Sequence, residues 1–208
     1  MSRRDRERKP ARRAPSLDPK PILLVVCEGA VTEKQYLRGI ADRYRNSRVQ
    51  IEIAPEAGRD PKTLAEIARD RKKRAEDLAQ KQEDENLAYD QVWCLHDIDD
   101  HPIEKIAAAK DIARDNGIHL AVSNPNIELW LYLHFDNKGP IDRFKLAKLL
   151  RKHIPQYEKR VDFQDYETGL ADAIQRAKRL DIDAANSGEP GRNPTTGVYR
   201  LIAEIQKG

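Results

Sequence analysis

Two apolar segments of strand-forming residues end abruptly in carboxylates, and this pattern constrains the fold more than any other feature. Residues 22–27 are all apolar and Glu28 follows them directly. Residues 92–95 are apolar too, and close behind them come the carboxylates of Asp97, Asp99 and Asp100. Continuous apolar runs of this length are typical of strands buried on both faces of a parallel sheet. Because parallel sheets place their sites at the carboxyl ends of adjacent strands, we expect the two acidic groups to meet at one edge.

Strand and helix patterns alternate through the first two thirds of the chain. Strands are predicted over 21–27, 49–53, 91–97 and 118–122, and helices over 32–45, 61–84, 102–115 and 126–134. From residue 142 onward the pattern is only helical, over 142–153, 166–183 and 195–206. The order predicts an α/β fold with a Rossmann-like parallel sheet of about four strands, flanked by helices, and a helical C-terminal extension.

This pattern divides the chain into three parts. Residues 1–20 are predicted to form a disordered basic arm, since they hold almost no apolar side chains. Residues 21–140 are predicted to form the α/β core, and residues 141–208 a helical extension packed on that core. The arm is interpreted either as a tail that attracts nucleic acid or as a terminus that aids solubility, and the sequence favours neither.

Composition narrows the class of protein. The net charge of the 208 residues is only +3, so a global basic field is no argument for nucleic-acid binding. The apolar runs are far shorter than a membrane span of about 20 residues, and no secretory signal is visible. We therefore expect a soluble cytoplasmic protein with no membrane partner. Its cysteines, Cys27 and Cys94, fall in predicted core strands and are expected as buried free thiols.

The acidic residues at the strand ends have the chemistry of a site for a hard cation. Asp97 and Asp99 lie two residues apart, so on a strand they point to the same side while Ile98 turns into the core. Together with Glu28 they would repel each other unless a cation lay between them. Oxygen ligands favour Mg²⁺ or Mn²⁺ over zinc. Asp100 is predicted either as a further ligand or as a cap of the next helix.

Several segments together resemble a known family. Residues 23–33 and 93–100 resemble the strand-end motifs of a TOPRIM domain, and the chain from about 20 to 205 resembles the RloB-like family of phage-defence proteins. The further matching segments are 123–135, 192–196 and the Asp60-Pro61 pair. The resemblance implies a Mg²⁺-dependent site that cleaves phosphodiester bonds. It implies that Glu28 acts as an acid/base or metal-ordering group, and that Asp97 and Asp99 hold metal.

The resemblance also extends to Glu33. Related nucleases of the OLD type carry a second glutamate at the start of the first helix, which Glu33 matches with a spacing one residue longer. Glu33 is predicted either as a metal ligand or as part of the cap of the first helix, in which Thr32 is the N-cap. The sequence leaves both roles open. One or two ions would suffice.

Polar residues beyond the acidic clusters are candidates for binding substrate. Asn124 and Glu128 follow the fourth strand. Asn124 is interpreted either as a phosphate contact or as part of an Asn-Pro turn. Glu128 is interpreted either as a further metal ligand or as an acid favoured at the start of a helix by its dipole. Arg192 and Asn193, in a loop rich in glycine and proline, are candidates for phosphate binding. His134 is expected as a satisfied core histidine.

The leading hypothesis is a metal-dependent nuclease that acts as the effector of an antiphage defence system. The resemblance implies an ATPase subunit of the AAA/ABC type as partner, and DNA or RNA, including tRNA, as substrate. The alternative is a non-catalytic module that binds nucleic acid or regulates a partner through an acidic metal site. Another phosphoryl-transfer enzyme is disfavoured because the chain has no phosphate-binding loop of the Gly-x-x-x-x-Gly-Lys type. A homo-oligomer is left open.

Overall fold

A computed structural model describes residues 21–29, 31–45, 48–53, 60–98, 101–137 and 139–207. For residues 51–53 it describes the backbone alone. The predicted arm, together with Asp99 and Asp100, lies outside the described residues.

The described chain alternates strands and helices up to residue 132 and is mainly helical after it. The strands are β1 (Leu23–Cys27), β2 (Val49–Ile53), β3 (Gln91–Asp97), β4 (His119–Asn124) and β5 (Thr195–Thr196). The helices are α1 (Thr32–Arg43), α2 (Pro61–Gln82), α3 (Ile103–Asp115), α4 (Ile127–Tyr132), α5 (Arg143–His153), α6 (Gln164–Glu167), α7 (Leu170–Asn186) and α8 (Val198–Gln206). Among the described residues no helix is long and apolar enough to cross a membrane.

One sheet holds all the described strands, in the order β2-β1-β3-β4-β5. The first four are parallel, as predicted, and β5 runs antiparallel to β4. In the pairing of β1 with β3, Cys27 lies beside Leu95, and in the pairing of β3 with β4, Asp97 lies beside Ser123. The carboxyl ends of three adjacent strands therefore meet at one edge of the sheet.

Strand β1 is apolar throughout because both faces of the sheet are covered there. Alternate residues of β1 belong to separate clusters: Leu23, Val25 and Cys27 pack on one side, and Leu24 and Val26 on the other. The first cluster is completed by α1, α4 and the helices of the C-terminal third, and the second by α2 and α3. Cys27 and Cys94 are free and buried, as expected.

The structure differs from the sequence-based prediction most clearly in the C-terminal third. The helix predicted over 195–206 begins only at Val198, because Thr195 and Thr196 form β5 instead. The hydroxyl oxygens of Ser123 and Thr196, paired across β4 and β5, lie 2.9 Å apart and are buried. The helix predicted over 166–183 is also divided, into α6 and α7. A strand of two residues has no periodicity by which a sequence could reveal it.

The residues just after α4, the helix that carries part of the candidate site, contact both α1 and the helical C-terminal third. Tyr36 of α1 and His134, just after α4, are joined by a hydrogen bond of 2.9 Å between the Tyr36 hydroxyl and the imidazole Nε2. His134 is thus a satisfied core histidine, as predicted. Gly169, at the start of α7, lies so close to the backbone of His134 that a Cβ would be 2.1 Å from its carbonyl oxygen.

Replacing Gly169 by alanine should therefore destabilise the fold, by about 1–3 kcal/mol, as overpacked sites generally do. The new methyl group would meet a backbone atom, which cannot move without shifting the end of α4. Urea denaturation followed by circular dichroism measures the change. Gly139→Ala is the matched control, because no atom lies within 4 Å of a Cβ there, and it should alter stability by less than about 0.5 kcal/mol. Equal unfolding midpoints for the two variants would contradict the packing argument.

Candidate active site

The backbone of the sheet brings Glu28 and Asp97 together. Glu28 follows β1 and donates its backbone N–H to the carbonyl oxygen of Leu95 in β3, at 3.2 Å. The side-chain Oε2 of Glu28 in turn accepts from the backbone N–H of Asp97, at 3.4 Å. Two of the three residues on which the predicted site depends are thus neighbours at one edge of the sheet. Asp99 and Asp100 lie outside the described residues.

Two further carboxylates reach the same place from helices. Glu33 lies in the first turn of α1 and Glu128 in the first turn of α4, and both are buried. Glu28, Glu33, Asp97 and Glu128 line one pocket of about 620 Å³. The hydroxyl of Tyr157 donates to Oε1 of Glu128 at 3.2 Å. Four acids from four different elements therefore share one pocket.

Position 29 requires glycine because the Glu33 side chain lies very close to its backbone. A Cβ at Gly29 would lie 1.8 Å from Oε2 of Glu33. The carboxylate of Glu33 thus occupies space that any side chain at position 29 would need. The prediction that Thr32 is the N-cap of α1 is wrong. Val31 precedes the helix without a side-chain cap, and the Thr32 hydroxyl donates to the carbonyl of Lys159 at 2.9 Å.

Burial and the repulsion of nearby carboxylates make two of the pocket acids, Glu33 and Asp97, hard to ionise. Burial raises the pKa of Glu33 from 4.5 to about 7, and the nearby charges of Glu128 and Glu28 add to the rise. The pKa of Asp97 is raised well above its ordinary value, first by burial and then by Glu33, Glu28 and Glu128. Carboxylates that disfavour each other's charge in this way would be stabilised by a cation between them.

The donor set has the chemistry that a hard divalent cation requires. Carboxylate and amide oxygens are the ligands that Mg²⁺ and Mn²⁺ prefer. Asn126, which also lines the pocket, is 8% exposed, and within the described part of the chain its side-chain oxygen Oδ1 has no hydrogen-bond partner. No group of three or more His, Cys, Asp or Glu side chains among the described residues is already positioned to hold a metal ion. The oxygen atoms of these side chains are therefore of the type that binds such an ion, but in the described residues they are not yet arranged around one point.

A comparison with models of protein families matches residues 23–205 to "RloB-like protein". The chain belongs to the RloB-like family. In corresponding comparisons, no curated protein and no solved structure matches the chain. The matched segment includes every acid of the pocket, so the site of this RloB-like protein lies within the part that the family shares.

Sequence reasoning missed two residues that contact or line the site. The imidazole Nε2 of His101 lies 3.1 Å from Oε2 of Glu28, and His101 is largely buried. Its signal in the sequence was its position directly after the acidic segment 97–100. Asn126, with its unsatisfied oxygen, was also overlooked as a site residue, because an Asn after Asn124-Pro125 is typical of a turn. His96 points elsewhere: it is buried, and its Nδ1 contacts the carbonyl oxygen of Asp97 at 2.9 Å.

Three of the predicted substrate-binding residues serve other contacts in the RloB-like protein. Asn124 donates to the carbonyl of Gly191 at 2.8 Å. Asn193 bonds both the N–H and the carbonyl of Ile141, at 3.1 and 2.7 Å. Arg192 pairs with Glu189 at 2.9 Å. None of the three lines the carboxylate pocket. Glu128, the fourth predicted residue, does line it.

The raised pKa of Glu33 predicts how the stability of the metal-free protein depends on pH. Between pH 4.5 and about 7 the unfolded chain releases the proton of Glu33 while the folded protein retains it. The free energy of unfolding should therefore fall across this range, by about 3 kcal/mol from Glu33, and level off above it. Glu33→Gln should remove this part of the fall, so that the variant is more stable than wild type at pH 8 and not at pH 4.

Urea denaturation in EDTA at several pH values measures this difference. Glu76→Gln, at an exposed glutamate of α2, is the matched control and should follow wild type. Asp97 contributes a slope of the same sign to all three proteins, and that slope should be smaller in Glu33→Gln because the charge of Glu33 helps to raise the pKa of Asp97. A Glu33→Gln variant whose profile parallels wild type would show that the environment of Glu33 is not as described.

Proposed function

We propose that this protein is a metal-dependent nuclease that cleaves phosphodiester bonds at the carboxylate pocket. The observation that carries the proposal is the convergence of four acids on one pocket at the carboxyl edge of a parallel sheet: one follows β1 directly, and the others lie in α1, β3 and α4. Glutamates are seldom buried unless they are paired, and two of these acids, Glu33 and Glu128, are buried. Perturbed carboxylates gathered in a cleft are a general mark of a functional site.

The proposed cation is Mg²⁺ or Mn²⁺, one or two ions, held by Glu28, Asp97 and the predicted ligand Asp99. Glu33 and Glu128 are further candidates, as is the unsatisfied Oδ1 of Asn126. When bound, such an ion would neutralise charge on the phosphate and lower the pKa of a bound water.

Glu28 is the proposed proton carrier. Its Oε2 is oriented by the backbone N–H of Asp97 and by His101. In this position Glu28 can take a proton from the attacking water, whose oxygen forms the new bond to phosphorus as the bond to the leaving oxygen breaks. His101, whose Nε2 lies 3.1 Å from Oε2, would donate to the Glu28 carboxylate and orient it. The protonated Glu28 would then release its proton to solvent, and the leaving oxygen would take a proton from solvent.

The biological setting is also a proposal. From the resemblance of the chain to the RloB-like family of phage-defence proteins, we propose that this protein acts in such a system with an ATPase of the AAA/ABC type. A non-catalytic regulatory module is the second candidate. What favours it is that no group of three described His, Cys, Asp or Glu side chains is already positioned to hold a metal.

Asp97→Asn should abolish cleavage, and Glu28→Gln should lower the rate by about a hundredfold or more, as expected when a general acid/base is lost. The measurement is cleavage of end-labelled DNA and RNA in Mg²⁺ or Mn²⁺, with the proposed ATPase present and absent. Asp111→Asn, at an exposed aspartate of α3, is the matched control and should cleave like wild type.

Thermal melts followed by circular dichroism show whether each variant is folded. Cleavage that survives Asp97→Asn in a pure preparation would place the activity elsewhere and overturn the proposal. Tight binding of nucleic acid without turnover, in every metal and with the ATPase present, would instead support the regulatory module.

A further inference from the structure

The carboxylate pocket also has a basic and aromatic side. Arg143, Phe144 and Ala147, from the first turns of α5, line it together with Lys159. These residues are far from the acidic motifs in sequence. They belong to the helical C-terminal third, which therefore contributes directly to the pocket.

Phe144 is the least expected of these residues. It is 75% exposed, whereas Leu146 and Leu150 of the same helix are fully buried. The guanidinium carbon of Arg143 lies 4.9 Å from the centre of the Phe144 ring. An aromatic ring left in water contributes little to folding. Its place on the pocket indicates a role in binding.

The start of α5 is held in place, so the ring is presented by a rigid element. Asp142 caps the helix by accepting from the backbone N–H of Lys145 at 3.0 Å. The buried face of α5 packs in the same core cluster as α4, which carries Glu128. The distance between the aromatic and acidic parts of the pocket is therefore set by the core.

We propose that the pocket takes an unpaired segment of nucleic acid, with Phe144 stacking on a base and Arg143 and Lys159 facing phosphates. The proposal rests on the nuclease function above and specifies its substrate class. Aromatic rings bind single strands by stacking, because an unpaired base offers a free face that a base inside a duplex does not. A pocket of about 620 Å³ is of the size that admits small ligands, so it fits nucleotides drawn out of a helix rather than an intact duplex.

Charge complementarity supports the same occupant. Phosphates entering a pocket lined by four carboxylates would be repelled. Arg143 and Lys159 place positive charge on the same lining and offset that repulsion. An exposed aromatic ring among cations on the wall of an acidic pocket is the arrangement that a negatively charged strand with stacking bases would require.

The test compares Phe144→Leu, which keeps an apolar side chain, with Phe144→Trp, which keeps a stacking ring. Binding of a fluorescein-labelled single-stranded oligonucleotide and of the same sequence as a duplex is measured by fluorescence anisotropy, in DNA and RNA forms and in Ca²⁺. Wild type should bind the single strand at least about tenfold more tightly than the duplex. Phe144→Leu should weaken single-strand binding by about 5- to 150-fold, the range expected for the loss of one base–ring stack, and Phe144→Trp should restore it.

Matched variants separate stacking from charge and from general surface effects. Ile182→Ala changes an exposed apolar residue of α7 that does not line the pocket, and it should bind like wild type. Lys159→Gln should reduce the slope of log affinity against log salt concentration by roughly 0.7, as expected for one lost phosphate contact on a single strand. Lys178→Gln, on α7, should leave that slope unchanged.

Binding and cleavage are assessed separately, by running the same mixtures in Mg²⁺ on a denaturing gel. Equal affinity for duplex and single strand, or a Phe144→Leu variant that binds like wild type, would overturn this proposal even if cleavage requires Asp97. If Phe144→Leu impairs only association with a protein partner, the ring is a protein contact and the proposal is also wrong. Single-strand binding that depends on Phe144 without any cleavage, in Mg²⁺ and in Mn²⁺ and with the ATPase present, would refute the nuclease and uphold the binding site.

Discussion

The parallel pairing of β1 with β3 is the constraint on which the site depends. Through it the backbone of Glu28 bonds to Leu95, and the backbone of Asp97 bonds to the Glu28 side chain. Both strands are buried on two faces, so their register is firmly specified. A slip of one residue would turn Asp97 to the opposite side of the sheet and exchange the apolar side chains that pack on its two faces. The position of the two acids is thus a consequence of core packing.

The C-terminal third completes the pocket and is not merely attached to the sheet. Tyr157 donates to the buried carboxylate of Glu128, and the carbonyl of Lys159 accepts from Thr32 in the first turn of α1. The backbone N–H of Val161 donates to the Gln35 side chain at 2.7 Å. The helices α1 and α4, which carry pocket acids, are therefore held by the segment 157–161. This segment is more than a hundred residues from α1 along the chain and about thirty residues from α4. Loss of these contacts would be expected to reshape the pocket before it unfolded the sheet.

The parts predictable from sequence were those set by local pattern and strand order. Apolar runs and, over 49–53, the alternation of apolar and polar residues predicted the parallel strands. The rule that parallel sheets place their sites at the carboxyl ends of adjacent strands predicted that Glu28 lies near Asp97. The place of Phe144 was not predictable in the same way, because amphipathic periodicity shows which face of α5 is buried but not which element it packs on. Asn193 was predicted to bind phosphate from its residue type in a polar loop. Its amide is instead used by the backbone of Ile141, a partner distant in sequence.

The acids of the pocket differ in how their charge is supported, and this separates their roles. The Glu28 carboxylate accepts a hydrogen bond from the Asp97 N–H and contacts His101. Burial and nearby carboxylates instead raise the pKa of Glu33 and of Asp97. A divalent cation would have to displace the protons that Glu33 and Asp97 retain, so its binding and their ionisation are linked. Without a cation, these acids cost folding free energy that apolar residues would not. A fold that keeps four of them in one pocket gives up stability there, as functional sites commonly do.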